Sequence, residues 1–167
     1  MEVPMQTHPV PKKKPSALGR GLVSGSIAAV ASTLVLLLQS KKEAKSAFSA
    51  QNAVSHWIWG EEAKHRHGLS MRYTVLGYAI HHASAVFWGV IYERLVGSKP
   101  SLSPPAELLR ASAFATVANL VDYRLTPHRL KPGFEHHLSK KSLVFVYAAF
   151  AAGLAAGHLL QQRRDGE

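Results

Sequence analysis

The residues most able to do chemistry in this 167-residue chain are its histidines, ten in number, with no cysteine beside them. His81 and His82 are adjacent inside an apolar stretch, and His56, Asn52, Asn119 and Asp122 are the polar residues that could meet them. Neutral imidazoles with a carboxylate make a metal site, and histidine is also the side chain that titrates near neutral pH. Neighbouring positions on a helix point about 100° apart, so His81 and His82 hold one ion together only where the helix is broken. Without cysteine there is no thiolate zinc site, iron–sulfur cluster, disulfide or thiol nucleophile. Neither a Gly-rich phosphate loop nor an HExxH or GxSxG pattern is present, and no catalytic residue is named. The cofactor possibilities are therefore none, a metal ion or haem. Haem between His82 and His158 is disfavoured, because on two helices entered from one side these lie ~14 and ~24 Å deep at 1.5 Å per residue.

The elements that must position these groups are apolar. Aliphatic, aromatic and alanine residues make up 47% of the chain and charged residues only 18%, with a mean hydropathy of −0.02, so the apolar residues are gathered in blocks. The blocks predict an all-α polytopic membrane protein with four spans at about 21–38, 73–96, 104–123 and 142–160, the first and last being near the ~20 residues that cross a bilayer. A signal peptide competes for the first run, but Lys41 and Lys42 follow it at once and further spans come after, which favours a retained helix. The third run opens with Ser103-Pro104-Pro105-Ala106-Glu107, a cap, two prolines and an acid in helix-start order. It is the shortest, and Glu107 and Arg110 are expected at the membrane interface. Residues 1–19 form a basic tail, 20–162 one membrane domain and 163–167 a second tail.

Four crossings put both termini on one side and the loops 39–72 and 124–141 together on the other, along with eight of the ten histidines. The formal charge of +10 flanks the apolar runs and does not gather on one polar face, which points to lipid headgroups and not to nucleic acid. Basic residues are split eleven to nine between the two sides, which leaves the orientation open. Gly21, Gly25 and Ala29, and Ala149, Gly153 and Gly157, recur every four residues and predict close helix packing, within the bundle or with a partner. Residues 49–60 predict a short interfacial helix with Trp57 and Trp59 at headgroup depth and Gly60 ending it. In the turn-rich segment after the third span, Arg124, Arg129 and Lys131 are expected on lipid phosphates and Asp122 beside Arg124 or Arg129.

The stretches NAVSHWIWG (52–60), HHASAVFW (81–88) and DYRLTPHRLKPGFEHHLS (122–139) resemble small four-span bacterial inner-membrane proteins grouped as domains of unknown function. In size and hydropathy the chain is more distantly similar to the YagU-like inner-membrane proteins, a family associated with acid resistance. The first resemblance implies a multi-pass protein of the bacterial inner membrane, and the second transfers no residue. The function expected from the residues is a non-enzymatic accessory or assembly component whose small-residue faces bind partner helices, in homo- or hetero-oligomers. The rival expectation is a proton- or metal-handling protein built on His81, His82, His56 and Asp122.

Overall fold

The computed structural model describes residues 16–99 and 102–166, all of them helix, turn or loop; among the described residues there is no strand. The greater part of the expected basic tail, including His8 and Lys12–Lys14, lies outside the described residues. Helix α1 (Ala17–Glu43) starts inside the remainder, at a cap in which Ser16 Oγ accepts from the Gly19 amide at 3.2 Å. Two short helices follow, α2 (Ser49–Val54) and α3 (His56–Trp59), and then a 3₁₀ segment, Gly60–His65. Helix α4 (Leu76–Val96) is entered through a π-helical turn, Met71–Val75, and α5 (Pro104–Leu120) leaves through another, Val121–Leu125. Helix α6 (Lys140–Gly166) closes the described chain and takes in residues 163–166 of the expected tail at 163–167, whose last residue lies outside the described residues.

Among the described residues, three helices are long and apolar enough to cross a membrane: Ala17–Glu43, Met71–Val96 and Lys140–Asp165. The stretch expected as a fourth is a 17-residue helix that continues through its π turn to Leu125.

Helix α1 lies between α4 and α6, and glycine sets both approaches. A Cβ on Gly21 would stand 2.4 Å from the Val90 Cα, and one on Gly25 would stand 2.6 Å from the Val86 Cα. On the other side, a Cβ on Gly153 would lie 2.4 Å from the Ala28 Cα and one on Gly157 2.5 Å from the Ser24 Cα. The small-residue stripes therefore join helices of this chain, where backbones in contact maximise dispersion between them. Helix α5 packs on α6 and reaches α4 through side chains, with Phe114 set edge-on to Trp88 and Tyr92.

The two long loops interlock at one end of the bundle. Trp57 Nε1 donates to the Lys131 carbonyl at 2.9 Å, and His137 Nε2 to that of Lys64 at 2.9 Å. Ser139 donates from its amide and its hydroxyl to Glu43 at 2.7 and 2.9 Å. Gly133, at φ +93°, backs onto Ala53, where a Cβ would meet the Ala53 carbonyl oxygen at 2.8 Å. At the opposite end Arg20 pairs with Asp165, so the described ends of α1 and α6 are neighbours.

The helix expected at 49–60 differs from its sequence reading. It breaks at Ser55, and all of Ser49–His56 is buried beneath the loops instead of lying flat on a surface. The reason is polar: Asn52 donates to the carbonyls of Arg66 and Gly68 at 3.0 and 2.8 Å and accepts from Thr74 Oγ1 at 2.6 Å.

Candidate functional site

Beneath the interlocked loops, between α4 and α6, lies a cavity of about 370 Å³. Its walls are apolar and aromatic, with Val54, Trp57, Phe87, Trp88, Val146 and Phe150 among them, and Phe87 stands 60% exposed. Two groups with acid–base character line it, His81 from α4 and Asp122 from the π turn after α5. Volume and lining fall in the range of small-molecule sites, ~300–1,000 Å³ with few polar groups.

Each polar group is held by its element. His81 Nε2 lies 3.0 Å from Ser32 Oγ on α1, and the ring sits edge-on to Phe134 at 5.9 Å. Asp122 accepts from Tyr147 Oη at 2.7 Å and from Trp88 Nε1 at 3.3 Å. The expectation that Asp122 pairs with Arg124 or Arg129 is therefore corrected: the π turn faces its carboxylate toward α4 and α6, while both arginines are exposed.

Of the six residues the sequence proposed for one pocket, His81 and Asp122 are brought together and four are not. His82 is turned about a quarter-circle from His81 and bonds Ser26 Oγ at 2.9 Å and Tyr78 Oη at 3.1 Å. His56 Nδ1 lies 2.8 Å from the Ala53 carbonyl oxygen, and Asn52 clamps the loop. Asn119 lines a separate groove between α5 and α6 with Tyr123 and Glu135. No group of three or more His, Cys, Asp or Glu is placed to hold a metal ion among the described residues. The interfacial anchors are tied inside the loops as well: Trp59 Nε1 donates to the Arg72 carbonyl at 3.2 Å beneath the Arg72 guanidinium, and Arg129 reaches the Trp57 carbonyl at 3.5 Å.

The loop histidines are shifted by their surroundings. Burial holds His67, His136 and His137 below the usual imidazole value; Lys45 beside His67, Lys64 beside His136 and the neighbouring histidines push the same way, while the bond His137 makes to the Lys64 carbonyl opposes it. His67 and His137 meet edge to face at 5.6 Å.

A second polar centre, at the opposite end of the bundle, was missed in the sequence. Glu93 Oε2 accepts from Arg20 Nε at 3.1 Å and from His158 Nδ1 at 3.0 Å. Glu107 is fully buried, contrary to its expected interfacial place, and takes hydrogen bonds from Tyr92 and Arg110. Arg110 and Gln162 both approach His158 Nε2, at 3.4 and 3.3 Å; both are donors, so that nitrogen accepts and the ring proton sits on Nδ1. Arg20, Glu93, Glu107, Arg110 and His158 each lie within a few turns of the same end of the bundle. Their complementary charges on four helices were the signal available. No family model, curated protein or solved structure matches the chain.

Proposed function

We propose that this is a four-span membrane protein with a non-enzymatic role, which binds a lipophilic guest in the cavity beneath its loops. The cavity with His81 and Asp122 as its acid–base groups carries the reading. The membrane setting is supported by three long apolar helices whose outward residues are large and exposed, such as Leu34 and Leu38 on α1, Leu95 on α4 and Val144 on α6. A fourth crossing is supported by the 22 residues from Pro104 to Leu125, about 33 Å at 1.5 Å per residue. Its Glu107 and Asp122 have partners inside the protein, which lowers the cost of placing them in hydrocarbon. The resemblance noted above favours the bacterial inner membrane.

The test uses the two tryptophans in the wall. Purified protein in lipid nanodiscs is titrated with 1-bromododecane, whose bromine quenches indole fluorescence on contact. Saturable quenching that disappears in Ser84→Phe and Val146→Phe, variants that fill the cavity, is the expected result. Linear quenching, unchanged by either variant, reflects partition into lipid and refutes the reading.

A second reading, an accessory component that binds partner helices, keeps one supporting observation. Of the two places expected for the small-residue stripes, within the bundle or with a partner, the first is the one they occupy, but Ala148, Ala152 and Ala156 repeat every four residues along an exposed face of α6. Loss of co-purifying membrane partners in Ala152→Leu, with the fold intact, is its test.

A further inference from the structure

The cavity selects its guest by what its polar groups lack. Every side-chain hydroxyl and indole donor in the lining is engaged with a protein acceptor. Ser32 Oγ donates to the Ala28 carbonyl at 2.7 Å, Ser84 Oγ to Ile80 at 2.9 Å, and Thr126 Oγ1 to Val121 at 3.0 Å. Trp57 donates to Lys131, while Trp88 and Tyr147 both donate to Asp122.

The acceptors are in the opposite condition. The Ser32 hydrogen is directed at Ala28, so Ser32 Oγ accepts from His81 Nε2, which fixes the ring proton there and leaves Nδ1 an acceptor. Asp122 takes one protein donor on each oxygen, and a carboxylate has about four acceptor positions. No Lys or Arg lines the cavity among the described residues.

Resting on the proposed lipophile-binding role, we infer that the guest carries a hydrogen-bond-donating head, an amine or a hydroxyl on an apolar body, which His81 Nδ1 and Asp122 receive. A carboxylate or phosphate head finds no free donor there and meets a like charge. Of the two donors, the amine binds more tightly, because a donor bond to a carboxylate is strengthened when the donor is charged.

Three probes with one tail and different heads test this in nanodiscs by the same quenching: 12-bromododecylamine, 12-bromododecan-1-ol and 12-bromododecanoic acid, each corrected for lipid partition. A charge-assisted hydrogen bond contributes ~1.5–3 kcal/mol, so the amine is expected roughly ten- to a hundredfold tighter than the acid, with the alcohol between. In Asp122→Asn the amine should fall to the affinity of the alcohol. This variant retains one oxygen for Tyr147 or Trp88, and the wild-type ranking stands without it should it fail to fold. An acid that binds as tightly as the amine, while 1-bromododecane still quenches saturably, overturns the head-group assignment and leaves the cavity reading intact. Linear quenching by all four probes overturns both.

Discussion

Nδ1 of His158 lies 3.0 Å from Oε2 of Glu93, with both side chains wholly inaccessible to solvent. The same carboxylate oxygen receives Arg20, so a single atom joins α1, α4 and α6 near one end of the bundle. Removing Glu93 leaves His158 buried without its acceptor and Arg20 with Asp165 as its remaining partner, which costs more than the net value of the pair.

Glu93→Ala is therefore expected to destabilise the protein by about 3–5 kcal/mol, the range found when one half of a buried ion pair is deleted. Glu93→Gln, which keeps an acceptor for His158, should cost less. Denaturant titration of the protein in detergent, followed by helical circular dichroism, measures both. Wild-type stability in Glu93→Ala would remove the cluster from any account of the fold.

The glycine contacts predict where added volume is tolerated. Gly153→Ala places its methyl against the Ala28 backbone, with no flexible side chain to yield, and is expected at or above the upper end of the ~1–3 kcal/mol usual for overpacking. Gly25→Leu should prevent folding. Ala152→Leu, on the exposed face of α6, should leave the thermal midpoint within a degree or two. Size-exclusion profiles and thermal melts distinguish these outcomes, and an unfolded Ala152→Leu variant would contradict the helix orientation described.

Acid should loosen the loops before it touches the carboxylates. Because burial lowers the folded-state values of His67, His136 and His137 beneath the ordinary 6.5, folding favours their neutral forms. Their contribution is complete above about pH 6.5 and is lost as pH falls through the lowered values, since the unfolded chain takes up protons that the folded one resists. Glu61 and Glu62, held below 4.5 by Lys64 and by Tyr73 and Arg66, lose theirs only in stronger acid. The thermal midpoint is expected to drop by a few degrees between pH 7 and pH 5. His137→Gln, which still donates to the Lys64 carbonyl, should flatten that slope. An unchanged slope would place the proton uptake elsewhere.

Asn52 makes three of the side-chain hydrogen bonds that hold the 66–74 segment over α2, beside Ser49, which bonds His67. Asn52→Leu conserves its size but removes partners from two carbonyls and a hydroxyl, for an expected loss of about 2–3 kcal/mol. Limited proteolysis should cut first between Arg66 and Met71. Cleavage no faster than in wild type would show that the loop is held by other contacts.

The long elements were legible because their signals are local. Apolar runs located α1, α4 and α6, the Ser-Pro-Pro start located α5, and counting crossings placed both loops at one end, where Trp57 meets Lys131 and His137 meets Lys64. The small-residue stripes were legible as contacts, but a four-residue repeat does not say which helix lies opposite; Gly25 faces Val86 of α4, while Gly153 faces Ala28. In the candidate site, His81 and Asp122 were legible from their types and depth. His82 and His56 were grouped with them because the 100° step between neighbouring helix positions separates His81 from His82 without saying which element each will face, and the packing of α1 on α4 decides that His82 faces Ser26. The Arg20–Glu93–His158 centre was overlooked because each residue, taken alone near the end of its apolar run, shows no partner; only the packing of α1, α4 and α6 makes them neighbours.

The central position of α1 also sets an order of assembly. Its glycine faces are completed by α4 and by α6, and α6 begins 97 residues after α1 ends, at Lys140 against Glu43. At synthesis rates of ~5–20 residues per second, the first helix waits roughly 5–20 s on the ribosome before its second partner emerges. During that interval Ser24 and Ala28 stand uncovered on a nascent chain, and Arg20 lacks Asp165. Helix α6 is thus the one that closes the α1 face, and a product stalled before it presents that face bare to whatever quality-control machinery surveys it.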